Sequence, residues 1–275
     1  MSRVAWVGLM LGVALIAGLG WLLYSGDEDG EAGPVTAVDY TDPGSESQKD
    51  GEEAPPRYPL LEEPIEAAEA ESVEPLPELE VSDDSVREEI TALSGAKPLE
   101  SLLVPDRLIE RFVVTFNSLD GRMAPLRKWP VRHAEGVPEV ARVDEGRFRW
   151  EPANHARYTP YVRAFTTPEA STLVDLYIRY YPLLQEAYTA LGEEEDYFND
   201  RVIAIIDHLL EAPEARESYA LRQPRVLFTF ADPELERLSP GQKILLRIGP
   251  EHSAKVRAQL RAIRAEIVAR TGGGD

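Results

Sequence analysis

The sequence contains no cysteine. That absence excludes disulfides, iron–sulfur clusters, thiolate zinc sites and cysteine nucleophiles together. Histidine is nearly as scarce. Its four copies, His133, His155, His208 and His252, stand far apart with no helical ligand spacing between any two. No tightly held metal and no cofactor are therefore expected. Basic residues number 29 against 49 acidic ones, for a formal net charge of −20. A phosphate backbone requires a positive footprint, so nucleic acid is excluded as the main partner. Also missing are the G-x-S-x-G elbow, H-E-x-x-H, the Walker loop, the dinucleotide glycine pattern and the EF-hand loop. No standard catalytic signature remains.

What is present begins with a long apolar run. Val4 to Tyr24 is 21 residues without a charge, and a helix rising ~1.5 Å per residue over that length crosses the ~30 Å hydrocarbon layer. Trp6 near one end, and Trp21 and Tyr24 near the other, are placed for the two interfaces. A cleaved signal peptide would have a shorter apolar region ending in a small-x-small site, whereas this run ends in Gly-Trp-Leu-Leu-Tyr. Residues 1–25 therefore read as an uncleaved single-pass anchor. Arg3 precedes it and the next basic residue is Lys49, so the positive-inside rule keeps the N-terminus cytoplasmic. The expected location is a bacterial inner membrane, with the C-terminal domain periplasmic.

Residues 26–80 change character. Between Asp27 and Glu80 lie 18 acidic residues, eight prolines and only two basic ones, Lys49 and Arg57. Such a composition buries too little apolar area to offset its ordering entropy, and the segment reads as a disordered acidic, proline-rich linker. Its role is either a spacer of selected length or a plain tether.

Residues 81–270 read as one mainly α domain with a small β-hairpin, followed by a flexible tail at 271–275. Helices are expected over Ser82–Leu93, from Pro105-Asp106 through Phe116, over Asn154–Phe165, Pro168–Leu191 and Tyr197–Leu210, and after Pro233, Pro240 and Pro250. Glu139–Val143 and Arg147–Glu151 flank Asp144-Glu145-Gly146 as a hairpin. Val226–Phe230 is a single strand or buried coil. Tyr197–Leu210 is apolar on much of its surface and is expected at the centre.

Three sets of residues can carry chemistry. Asp200 and Asp207 lie seven apart on one helix face, and His208 lies roughly on that side. Together they can act as acid and base or bind an ion. The structural alternative is a helix cap at Asn199 and Asp200, with His208 in a polar niche. Tyr177, Tyr181 and Tyr188 fall with Leu184 on one helical stripe, either a binding surface or core with hydroxyls at its rim. Arg257, Arg261 and Arg264 line one face of the last helix, fit for anionic lipid, anionic cell-wall polymer or the acidic linker, or simply solvated.

Several blocks carry a resemblance: WPVR at Trp129–Arg132, NHARYTPYV at Asn154–Val162 and YPLLQEAYTALG at Tyr181–Gly192. YFNDRVIAIIDHLLEAP at Tyr197–Pro213 and FADPELERLSPGQKILLRIGPEHSAKVRAQL at Phe230–Leu260 extend it. From about Leu76 to Ile267 the chain resembles the bacterial domain-of-unknown-function family 3014. Its members similarly look like membrane-anchored proteins with acidic, proline-rich linkers, and the resemblance implies no catalytic residues. Where the family has tyrosine-proline-aspartate-glycine before YFNDR, this chain has Glu193-Glu-Glu-Asp196. The leading functional expectation is a non-enzymatic cell-envelope scaffold or binding protein, its partner a protein or cell-wall polymer. The alternative is an envelope hydrolase using Asp200, Asp207 and His208.

The span itself can self-associate. Gly8 and Gly12 share one helix face, and their missing side chains let two backbones approach. Gly18 lies about 240° round from Gly12, so any seam is short and the dimer weak. A membrane two-hybrid signal from the span alone is expected to disappear when both glycines become isoleucine. An unchanged signal would make the helix an anchor only.

Overall fold

Prolines open the helices of the C-terminal third because a proline at the first turn forfeits only an N–H that has no intrahelical partner. In the computed structural model, which describes residues 56–60, 75–94, 101–122, 125–193, 196–224 and 227–271, α6 (Pro233–Arg237), α7 (Pro240–Arg247) and α8 (Pro250–Arg270) each begin this way. Asp232 caps α6 through the Glu234 N–H, and Ser239 with Gln242 forms a reciprocal capping box on α7.

Before them come α1 (Asp83–Ser94), α2 (Leu108–Asn117), α3 (Thr159–Thr166), α4 (Ala170–Thr189) and α5 (Phe198–Leu210). The Ser82-Asp83-Asp84-Ser85 cluster, expected to cap α1, does something more. The Asp83 carboxylate accepts the N–H groups of Arg107 and Leu108 at 2.7 and 2.8 Å. It thereby caps α2, whose N-cap Arg107 sits in a left-handed conformation. A carboxylate supplied from elsewhere in the chain holds a backbone that Arg107 alone would not favour.

The β component is larger than a hairpin. β1 (Val140–Asp144), β2 (Arg147–Trp150), β3 (Tyr219–Arg222) and β4 (Thr229–Phe230) form an antiparallel sheet in that order. Trp150 opposes Tyr219, and Leu221 opposes both Phe148 and Phe230. These five side chains share one face. β3 escaped the sequence reading because it is four residues long, and its alternate positions Ala220 and Arg222 are exposed.

Helix α5 is the centre, packed by α2, α4, α7 and α8, while α8 also packs α3 and α4. Phe112, Phe116 and Phe198 meet edge-on or stacked in the core. Among the described residues no helix is long and apolar enough to cross a membrane. The span expected at residues 4–24 lies outside the described residues, as does most of the expected linker.

Two boundaries move. Pro56–Leu60, assigned by composition to the disordered linker, is docked on the domain: Tyr58 and Leu60 are packed against the core, and Leu60 forms a bridge with Thr271. Thr271, assigned to the tail, is buried, and its hydroxyl donates to the Val268 carbonyl. Composition averaged over the linker hid a local run, Pro55–Leu61, that contains no acid.

Gly241 marks a close approach. Its N–H donates to the Leu119 carbonyl at 2.9 Å, and an added methyl would lie 2.4 Å from Leu209 Cδ2 and 3.0 Å from the Leu119 oxygen. The Leu209 tip can move, but the carbonyl is backbone. Gly241→Ala should therefore destabilise by about 1–3 kcal/mol, because overpacking outweighs the usual helical gain of ~1 kcal/mol. A urea midpoint equal to or above wild type would contradict this reading.

Candidate functional site

The first turn of α5 is buried, and buried N–H groups need partners. Gln185 Oε1 on α4 accepts the Phe198 N–H at 2.8 Å, while its amide donates to the Asp196 carbonyl. The Tyr181 hydroxyl donates to the same Gln185 oxygen at 3.0 Å. Tyr197, the N-cap residue, makes no side-chain cap hydrogen bond. The helix end is thus capped from α4.

That leaves the side chains of Asn199 and Asp200 for another use. Buried Asn199 accepts the Tyr177 hydroxyl at 2.9 Å, which orients its amide, and donates from Nδ2 to the Tyr58 carbonyl at 2.7 Å. Asp200 accepts the Arg57 N–H at 2.8 Å on one oxygen and the Tyr58 N–H at 2.9 Å on the other. Three of the four main-chain polar groups of Arg57 and Tyr58 are held by two adjacent side chains.

The residues singled out in the sequence fall apart into separate roles. Asp207, about 10 Å along the axis from Asp200, makes a bidentate pair with Arg264 on α8 at 2.5 and 3.0 Å. His208 points to α7, within 2.9 Å of the Ser239 hydroxyl, and its carbonyl accepts from Gln242. Tyr177 is fully buried and Tyr181 half-buried, so the tyrosine stripe is core with hydroxyls reaching a polar network. Arg257 is buried, not presented to an external anion. It donates to the carbonyls of Leu210, Ala212 and Pro213 at 3.1, 2.8 and 2.6 Å, closing the other end of α5. Burial pushes its guanidinium below the ordinary value, with Glu214 opposing. Arg261 is exposed. Among the described residues no three histidine, aspartate or glutamate side chains come together as a metal ligand set.

The family described as Protein of unknown function (DUF3014) matches residues 108–264, more than half of the chain. The chain belongs to that family. Neither a curated protein nor a solved structure matches it. In this DUF3014 chain the matched stretch begins at α2 and includes all of α5, whereas the docked Pro56–Leu60 lies outside it.

Gln185 and the Arg57-Tyr58 pair were not singled out by sequence reasoning, and Asn199 entered it only as a helix cap. The one available signal was the acid-free Pro55–Leu61 run. Nothing in one-dimensional spacing links it to a helix 140 residues away.

Two measurements test these assignments. Arg257→Met should cost about 2–3 kcal/mol, since it strips charged donors from carbonyls at a helix end, while Arg261→Met should stay within about 0.5 kcal/mol. Equal losses would contradict the buried role of Arg257. Separately, burial holds Tyr180, Tyr181 and Tyr188 up at about 12, and Tyr177 well above its ordinary value near 10. A tyrosine raised in the folded state binds its proton more tightly there than in the unfolded chain. Stability is therefore whole below pH 10 and falls as pH rises from 10 towards 12. Thermal melts across that window should show the fall, and a flat profile to pH 12 would refute it.

Proposed function

We propose that this protein is a membrane-anchored cell-envelope scaffold or binding protein, non-enzymatic, with its helical domain on the periplasmic side of a bacterial inner membrane. The observation that carries the binding half of this reading is the engagement of Asn199 and Asp200 with main-chain groups of a distant, docked segment. That is recognition chemistry. Reactive carboxylates need access to a substrate and a shared cleft. Asp200 instead spends both oxygens on backbone N–H groups, Asp207 both of its oxygens on Arg264, and His208 turns towards α7. The anchoring half rests on the uncharged Val4–Tyr24 run and the charge asymmetry around it. With Pro56–Leu60 docked, the spacer in this reading is residues 26–55.

Crosslinking in native membranes with the full chain tests the proposal. A binding protein should give the same crosslinked partners from wild type and from Asp207→Asn/His208→Gln. A hydrolase should instead accumulate a trapped substrate on the double variant, and that result would overturn the non-enzymatic reading. Protease added to spheroplasts should degrade the domain, and full protection would overturn the periplasmic assignment.

A further inference from the structure

We propose that the first turn of α5 is a binding site for a short, bent, proline-flanked peptide segment, and that the chain's own Pro56–Leu60 is its built-in occupant. The inference rests on reading the domain as a binding module, and it names the ligand class. Asp200 and Asn199 satisfy two successive N–H groups and one carbonyl, a pattern that reads main chain and not side chain. Exposure alternates along the occupant: Arg57 and Pro59 face out, while Tyr58 and Leu60 are half-buried against the core. The backbone bends at Arg57 and Tyr58, which turns both N–H groups towards the one Asp200 carboxylate. Two side chains therefore supply specificity, and they are apolar residues two apart with a proline between them.

The prolines make the segment a good ligand. Pro56 and Pro59 fix φ, and the residue preceding a proline, here Tyr58, has fewer backbone conformations open to it. The entropy lost on docking is small as a result. Pro59 has no N–H to leave unsatisfied. The far end is fastened by the Leu60–Thr271 bridge at the end of α8, so the occupant runs from the start of α5 to the end of α8. The site is also prepared without the occupant: Tyr177 orients Asn199, and Gln185 of α4 caps the helix, so neither clamp side chain is needed for capping.

Fourteen residues, 61–74, join the occupant to the next described stretch. A tether of that length holds a segment near its site at an effective concentration in the millimolar range. A peptide offered from outside must then compete, and the competition is the test. The full chain carrying Arg57→Pro and Tyr58→Pro loses both N–H donors while the domain is untouched. The probe is a synthetic peptide of residues 54–63, titrated by calorimetry. It should bind this variant at least tenfold more tightly than the wild-type chain. Asp200→Ala in the variant should abolish binding. So should N-methylation of the peptide at the positions of Arg57 and Tyr58, which alters no part of the protein. Binding that survives N-methylation, or equal affinity for wild type and variant, overturns the site. Cleaved peptide recovered after the titration would overturn the non-enzymatic reading instead, whereas intact peptide that never binds overturns only the clamp.

Discussion

Both ends of α5 are buried, and a buried helix end must find partners for backbone groups that the helix itself cannot satisfy. The rest of the domain is arranged around that constraint. At the N-terminus, α4 brings Gln185 to the Phe198 N–H, with Tyr181 bonded to the same Gln185 oxygen. At the C-terminus, α8 brings Arg257 to three carbonyls and α7 brings Gln242 to a fourth. Along its length Arg201 reaches the end of α2, holding Asp120 with both guanidinium nitrogens at 2.7 Å. Long-range side chains therefore fix the position of the central helix as firmly as its apolar packing does.

This division of labour has a chemical consequence. In an ordinary helix start, an asparagine or aspartate in the first turn is consumed in capping or left in water. Here the cap comes from outside, and Asn199 and Asp200 are turned outward to a second strand of chain. The same economy appears at α2, where Asp83 from another segment does the capping. Asp83 and Asp200 are engaged with backbone N–H groups and Asp120 and Asp207 with arginine, so the acidic residues that look reactive in one dimension share no cleft in three.

Much of the architecture was legible in the sequence because it is local. The apolar stripe Leu108, Ile109, Phe112, Val113 and Phe116 is buried as read, the β1–β2 hairpin turns at Glu145-Gly146, and three prolines open three helices. What could not be read is long-range. β3 is too short to carry a pattern, and its pairing with β2 is decided by the fold. The face shared by Arg257, Arg261 and Arg264 on a helical wheel divides once neighbours arrive: one caps α5, one stays in solvent and one pairs with Asp207. The docked Tyr58 was masked by the acidic composition around it, since an average over 54 residues erases a run of seven.

The central claim is that Asp200, relieved of capping duty, holds the backbone of Arg57 and Tyr58. Amide hydrogen exchange in the full chain reads those two N–H groups directly. The account predicts slowed exchange at Arg57 and Tyr58 in the wild-type protein, lost in Asp200→Ala while the amides of α5 keep their protection. Exchange of Arg57 and Tyr58 at random-coil rates in the wild-type chain would contradict it.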